Sequence, residues 1–432
     1  MADVQLQPIA EPFTATVTPP GSKSLTNLAL VLAALSDGVS DLSNVLFADD
    51  TLVMIECLTR LGFHLHVDHE GRFVRVHGRG GRIDRASANL FCGNSGTTMR
   101  FLTAMCTLGH GTYALDGAPR MRQRPIAQLV DVLQNLGVRI DYTMERGFPP
   151  LRVHADGLPG GIARFGAGLS SQFLSAILMS APHARNEVQI DVEPPLASWP
   201  YVAMTMRMMD EFGVTPELIR DPKTGLPTRL IVPRGAYRAT SIDIEPDASA
   251  ATYFLAAAAI NEGSKVTIEG LGKRSLQGDV GFADVLHKMG ASLLFGKDFI
   301  TVTGTGALEG IDVGLADMPD AAQTLAVICL FALGESTLRG LHTLRHKETD
   351  RLNALSTELQ KMGATVTMED DALTIVPPEH VRPAAIDTYD DHRMAMSFAV
   401  AGTRVPVVIR SAECVNKTYP AFFEDFARLR EN

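Results

Sequence analysis

Cysteine is scarce in this 432-residue chain, and the five present (Cys57, Cys92, Cys106, Cys329 and Cys414) include no CxxC pair and leave an odd thiol over. That excludes a disulfide framework as the organising device and fits reduced thiols in a cytoplasm. Long apolar runs are missing too. AAQTLAVICLFALG, residues 321–334, falls short of the roughly 18 residues a membrane span needs. The opening MADVQLQPIAEPF has charges and prolines but no apolar h-region, so no signal peptide is expected. Basic charge is in deficit, 39 Lys and Arg against 49 Asp and Glu, for a net −10. This argues against nucleic acid or a membrane surface as partner while leaving room for a local basic pocket. No GxxxxGK[ST] loop or dinucleotide fingerprint occurs. Even the acid-rich DTYDDHRM, residues 387–394, matches no metal-ligand spacing. A soluble, cytoplasmic protein of two or three domains is expected.

What the chain does contain is a repeat. An amphipathic helix ending in glycine and then an alternating strand recurs as RLGFHLHVD, NLGVRIDYT, EFGVTPELI, KMGASLLFG and KMGATVTME, with Gly62, Gly137, Gly213, Gly290 and Gly363 spaced 75, 76, 77 and 73 residues apart. Glycine just past a helix end is the expected stop. Interleaved with these are six nearly all-apolar segments: SKSLTNLALVLAAL, SGTTMRFLTAMC, SSQFLSAILMSA, DASAATYFLAAAAI, DAAQTLAVICLFAL and DHRMAMSFAVAG. A helix apolar on every side is a buried one. Short strands such as TYALDG, VQIDVE, KVTIEG and VPVVIR follow them.

Each unit therefore reads as βαβαββ, and six units of about 72 residues fill the chain. The sixth outer helix, YPAFFEDFARL, runs to the end of the sequence, so VQLQPIA and TATVTP near the N-terminus are expected to close that unit. Three units per domain gives residues 21–241 as one domain and 1–20 with 242–432 as the other, with a hinge at the two crossings and a cleft between the halves.

Helix N-termini present free N–H groups and suit anions. The polar residues at these six mouths are ordinary capping types, Ser24, Ser95, Ser171 and Asp320 among them, and capping alone explains any single cluster. Cations accompany them, however. GNSGTTMR (93–100) has the glycines of an anion nest. PRMRQRP (119–125) reads first as a solvated charge run, yet Arg124 stands at a helix start. In RHKETDRLNALSTELQKMG (345–363) Lys347 and Arg351 are four apart and are expected on one helix face, with Glu348 one step round. A surface salt-bridge ladder explains that spacing; a Lys–Glu pair set for acid–base work explains it as well. Lys23, Arg124, Lys347, Arg351, Arg393 and Lys417 all fall at buried-helix mouths or in the loops before outer helices. In an acidic protein this concentration points to an anionic small-molecule substrate with phosphate and carboxylate groups.

The motifs GSKSLTN, GNSGTTMR, RMRQRPI, LSSQFLSAILM, PDASAATYFLAAAAI, SLQGD, PDAAQT, RHKETDRL, DTYDDHRMAM and NKTYP, in this order over essentially the whole chain, resemble the 3-phosphoshikimate 1-carboxyvinyltransferase (EPSP synthase) family of enolpyruvyl transferases. The resemblance implies an α/β fold of two domains, an inside-out α/β barrel with three βαβαββ units in each, closing on substrate. It implies transfer of the enolpyruvyl group of phosphoenolpyruvate to the 5-hydroxyl of shikimate 3-phosphate, without metal or organic cofactor. By the same resemblance Lys23, Ser24, Ser170, Ser171, Gln172, Ser198, Tyr201, Asp320, Thr343 and Lys347 would hold shikimate 3-phosphate. Lys23, Gly96, Arg124, Gln172, Arg351, Arg393 and Lys417 would surround phosphoenolpyruvate. Asp320 would take the hydroxyl proton, and Glu348 and Lys23 are the candidates for protonating the methylene carbon. The partners implied are small-molecule substrates, with no nucleic acid or membrane, and a monomer is expected.

One position departs from the pattern. Where the family carries an arginine that pairs with the shikimate carboxylate, this chain has Leu28; a lesser departure is Thr343, where some members carry Asn. Two other readings follow. UDP-N-acetylglucosamine 1-carboxyvinyltransferase shares fold and donor, but its loop carries a reactive cysteine and DGAPRMRQRP has none. A non-catalytic ligand-binding descendant would explain Leu28, but not the retention of Lys23, Asp320, Glu348, Arg393 and Lys417.

Overall fold

Six helices are built almost entirely from small and apolar residues, and burial follows from composition: with no polar face to give to water, each must be enclosed. They are Lys23–Leu35, Gly96–Met105, Ser171–Ser180, Ala248–Ile260, Ala322–Ile328 and His392–Ala401. Every residue of Ala248–Ile260 is buried, as is every residue from Leu25 to Leu35. Their outer partners are Asp49–Arg60, Ala127–Asn135, Trp199–Glu211, Phe282–Lys288, Arg351–Lys361 and Phe422–Ala427. In this computed structural model residues 3–166, 168, 170–194, 196 and 198–431 are described; Leu169, at the head of the LSSQ motif, lies outside them.

The five repeating glycines have φ of 97°, 92°, 84°, 114° and 102°. That left-handed conformation is strained for residues with a Cβ, which is why the repeat keeps glycine there.

Each unit adds a small sheet. Ser87–Phe91 runs parallel to His110–Asp116, which pairs antiparallel with Leu151–Asp156, itself antiparallel to Arg139–Tyr142. The same four-strand order recurs in four further sheets. The sixth has three strands, with Val4–Leu6 antiparallel to Val407–Ile409 and that strand parallel to Ala384–Ile386. VQLQPIA thus closes the last unit as expected. TATVTP does not: Thr14–Val17 pairs in parallel with Lys265–Glu269. The reason lies at the other crossing. Ser241–Asp243, the strand leading into the Ala248 helix, pairs with Asp37–Ser43. The Lys265 sheet would otherwise show an open edge, and Thr14–Val17 fills it while Phe13 and Ala15 enter the core.

The chain divides into two compact units, Met1–Pro20 with Glu245–Asn432, and Gly21–Ile244. The first crossing needs glycine, since a Cβ on Gly21 would lie 1.9 Å from the carbonyl oxygen of Asn44. All five cysteines are buried free thiols. Among the described residues no helix is long and apolar enough to cross a membrane.

In the unit containing Glu245–Asn432, a line of hydroxyls joins three buried helices: Thr252 Oγ1 lies 3.2 Å from Thr324 Oγ1, and that oxygen lies 3.2 Å from Ser397 Oγ. Thr324→Val keeps the shape but leaves two buried hydroxyls each short of a partner. The expected loss is about 1–2 kcal/mol, read as a lower midpoint of denaturant unfolding with an unchanged slope.

Candidate active site

In the Gly21–Ile244 unit the first helix mouth is capped two residues earlier than the sequence suggests. Ser22, not Ser24, accepts from the Leu25 N–H at 3.4 Å, so Lys23 opens the helix and Ser24 lies within its first turn. Lys23 Nζ stands 3.7 Å from Asp50 Oδ2. The carbonyl of Asp50 accepts from the Ser95 hydroxyl at 3.4 Å, and Ser95 in turn caps the Gly96 helix. Gly96 is where two cations converge. A Cβ there would meet Arg100 Nη1 at 2.3 Å and Arg124 Nη2 at 2.5 Å. Both guanidiniums therefore lie against the opening turn, where the helix N–H groups already favour an anion.

Arg124 is buried and donates from Nη1 to the Asn94 carbonyl at 3.0 Å. Arg100, also buried, lies over the Phe173 ring at 5.8 Å. Reading the sequence for site residues passes over Arg100. The signal available was its place four residues after Gly96, a charge in a helix with no solvent face.

The third mouth reaches the second through Gln172, whose Nε2 donates to Thr97 Oγ1 at 3.4 Å. Ser170 holds the N-cap position and Ser171 begins the helix. Ser198 caps the Trp199 helix by position with φ of 58°, a left-handed conformation unusual for serine. The Tyr201 N–H bonds back to its carbonyl at 3.0 Å. Leu28, 2% exposed, belongs to the core.

The other unit holds a denser cluster. Asp320 does not cap: it lies inside a 3₁₀ turn, Pro319–Ala321, that leads into the Ala322 helix. Three cations converge on its carboxylate: Arg393 Nη2 at 2.7 Å, Arg351 Nη1 at 3.3 Å and Lys347 Nζ at 3.7 Å. Arg351, 1% exposed, also meets Asp391 Oδ2 from Nε at 2.7 Å and Glu348 Oε2 from Nη2 at 2.9 Å. Lys417 Nζ lies 3.9 Å from the other oxygen of Glu348. Burial works to lower the pKa of Arg351, but the carboxylates of Asp391, Glu348 and Asp320 outweigh it and raise it further.

One expectation here is corrected. Lys347 and Arg351 do not share a helix face, because the helix starts only at Arg351, with Asp350 as its cap accepting from the Asn353 N–H at 3.2 Å. Lys347 follows the 3₁₀ turn His342–His346 and Glu348 lies in the loop between. The two cations meet through Asp320 instead. Thr343 lies in the same 3₁₀ turn, its Oγ1 buried with no hydrogen-bond partner among the described residues.

Two acids of DTYDDHRM hold cations, Asp387 those of Lys361 and Arg410 and Asp391 that of Arg351. Asp391 grips Arg351 and caps the His392 helix by accepting from the Arg393 N–H at 2.9 Å. Tyr389 and Asp390 before it both have φ of 55°, and the Tyr389 hydroxyl donates to Glu358 Oε1 at 2.6 Å. A strained turn anchored this way fixes the mouth behind it. Among the described residues no group of three or more His, Cys, Asp or Glu side chains is placed to hold a metal ion.

Buried helix mouths ringed by held cations, with acids alongside able to move protons, define an enzyme for small polyanions. The profile of the EPSP synthase (3-phosphoshikimate 1-carboxyvinyltransferase) family matches residues 8–426. The chain is 46% identical over 428 residues to the 3-phosphoshikimate 1-carboxyvinyltransferase of Sulfurovum sp. (strain NBC37-1), covering 98% of each. It is 44% identical to the chloroplastic enzyme of that name from Arabidopsis thaliana, covering all of this chain and 85% of the plant one. The solved EPSP synthase of Acinetobacter baumannii superposes with a TM-score of 0.80 at 26% identity, covering 99% of this chain and 98% of that one. The enolpyruvyl transferase NikO from Streptomyces tendae, at 18% identity and a TM-score of 0.78 over 98% of this chain and 96% of its own, shares the fold. The chain belongs to the EPSP synthase family, and it is an enzyme with the enolpyruvyl-transferase fold.

Gly96→Ala tests the second mouth. The atoms nearest the new methyl are the ends of two long side chains, not backbone, so Arg100 and Arg124 are displaced before the fold is. Steady-state kinetics are expected to show at least about a tenfold rise in KM for an anionic substrate, a loss of about 1.4 kcal/mol, with thermal stability little changed.

Proposed function

We propose that this protein transfers the enolpyruvyl group of phosphoenolpyruvate to the 5-hydroxyl of shikimate 3-phosphate, giving 5-enolpyruvylshikimate 3-phosphate and phosphate. The observation that carries the reading is the Asp320 carboxylate with Lys347, Arg351 and Arg393 on it. It sets a proton acceptor directly beside cations suited to phosphate and carboxylate groups. The curated relatives at 43–46% identity, matched over 85–100% of their length, bear the name of this activity, which favours it over the UDP-N-acetylglucosamine reaction.

In this reading Asp320 takes the proton of the attacking hydroxyl. Glu348 or Lys23 delivers a proton to the methylene carbon of phosphoenolpyruvate, making the enol carbon cationic as the hydroxyl oxygen bonds to it. Return of that methylene proton to the enzyme and loss of phosphate then give the product. Glu348 suits the first task because Arg351 and Lys417 fix both its oxygens. Positive charge developing on the enol carbon favours carboxylates close by, which act more strongly on the transition state than on the ground state. Lys23, Gly96, Arg124, Gln172, Arg351, Arg393 and Lys417 are the residues proposed to hold phosphoenolpyruvate. Ser24, Ser170, Ser171, Ser198, Tyr201, Thr343 and Lys347 hold shikimate 3-phosphate. The free thiols and the net charge of −10 suit a cytoplasmic monomer, which sedimentation at assay concentrations checks.

The assay is phosphate release, expected only when both substrates are present; no release with both would overturn the reading. Leu28 sharpens the test. The family arginine at this position pairs with the shikimate carboxylate, and losing one partner of such a pair costs about 2–5 kcal/mol. A raised KM for shikimate 3-phosphate is therefore expected, lowered tenfold or more by Leu28→Arg. Because position 28 is 2% exposed, the variant is expected to melt lower than wild type without ligand and to recover when shikimate 3-phosphate is added. An unchanged KM would refute this account of Leu28 while leaving the reaction in place.

A further inference from the structure

Two stretches of the resemblance have no role in the reaction above, SLQGD (275–279) and the PDASAAT that opens the Ala248 helix, and they are folded against each other. Gln277 accepts from the Ala248 N–H at 3.1 Å and donates to the Pro246 carbonyl at 2.7 Å. Ser249, in the first turn of that helix, donates its hydroxyl to Asp279 Oδ2. Asp279 is 3% exposed. The same helix supplies Tyr253, whose hydroxyl lies 3.4 Å from Arg393 Nη1, while Arg393 Nη2 holds Asp320. Arg393 thus runs from the Ala248 helix to Asp320, and the same helix holds the buried Asp279 through Ser249. Burial pushes the Asp279 carboxyl up to about 6; the Asp320 charge adds to the rise and that of Asp247 contributes, while the Ser249 hydrogen bond and Arg393 oppose it.

A proton acceptor ringed by cations is a weak one, because each cation favours its ionised form. Lys347, Arg351 and Arg393 all act on Asp320 in this sense, while Glu348 and Asp391 meet Arg351 and Lys417 meets Glu348. The opposing influence is a like charge nearby. We propose that Asp279 is a positioning residue for Asp320, a buried second carboxylate whose charge offsets the three cations and keeps Asp320 basic enough to take the hydroxyl proton. The inference rests on the reading of Asp320 as the base.

The arrangement has a stability signature of its own. A carboxyl whose pKa is higher folded than unfolded holds its proton more tightly in the native state, so its contribution falls as pH rises from the unfolded value of about 4 through about 6. At pH 8 the Asp279 charge destabilises the fold. Buried charges kept against stability concentrate where chemistry needs them.

Asp279→Asn is expected to raise the melting temperature relative to wild type at pH 8 more than at pH 5. The acid limb of its kcat/KM profile is expected to move to lower pH by half a unit or more, with kcat about tenfold lower at pH 8 and KM values changed less than twofold. Ser249→Ala, which keeps the charge but removes the hydrogen bond favouring it, is expected to shift the rise in activity to higher pH. It serves as the second variant if Asp279→Asn folds poorly. Profiles of both variants that overlay wild type would overturn the inference, as would a fall in Tm of Asp279→Asn at pH 8 with an unshifted limb. Asp320→Asn keeps the two readings apart: full turnover in that variant refutes the base itself, whereas its loss alongside an unshifted Asp279→Asn profile refutes only the role of Asp279.

Discussion

A guanidinium taken wholly out of water has to be met by carboxylates, and Arg351 is met by three, each from a different element. Asp320 comes from a 3₁₀ turn, Glu348 from a loop and Asp391 from a helix cap. Each acid then reaches a further group: Asp320 holds Lys347 and Arg393, Glu348 holds Lys417, and Asp391 caps the helix that begins with His392 and Arg393. The charged candidate groups of that unit are all linked, directly or through one carboxylate, to this one buried cation. Removing a single member strands charge in the interior, at a cost of about 3–5 kcal/mol. That is a substantial part of the stability of an ordinary domain.

The same constraint explains how a chain of net charge −10 collects cations without losing its fold. At the surface an ion pair is worth little and is screened. Beside a buried helix mouth the free N–H groups already favour an anion, and a cation stays there only if something holds it. In one unit the holders are carboxylates. In the other, Arg124 is held by the carbonyl of Asn94, Arg100 lies on an aromatic face, and Lys23 leans on Asp50. The first arrangement gives a cluster with proton acceptors built in; the second gives cations set on a carbonyl, an aromatic ring and a carboxylate. The acid–base work proposed draws on the first of these through Asp320 and Glu348, with Lys23 in the second as the other candidate proton donor.

Much of this was legible in the sequence, and the parts that were not share a cause. The glycine repeat could be read because a left-handed cap leaves almost no choice of residue, and the buried helices because their composition has no polar face. Local competition blurred the rest. Ser22 and Ser24 are equally good caps on paper, and only the backbone decides. Asp350 draws the helix start past Lys347 and Glu348, so a four-residue spacing that looks like a shared face becomes a shared carboxylate. Long-range pairing was hidden altogether. Nothing within TATVTP says that its partner is Lys265–Glu269, because that depends on where Ser241–Asp243 pairs, more than two hundred residues later.

Asp279 and Leu28 are opposite departures from what burial prefers. At 279 the chain keeps a charge where a neutral residue would be more stable. At 28 it has an apolar side chain in a buried helix, where the family pattern places a cation. Stability alone explains Leu28 without reference to chemistry, since an unpaired arginine at a site 2% exposed is costly until an anion arrives. Stability alone does not explain Asp279, whose raised pKa marks a charge held against desolvation and against Asp320. A site tuned only for packing would have neutralised both positions. Position 28 carries no charge and position 279 keeps a carboxyl, which is what the role proposed for Asp279 beside Asp320 requires.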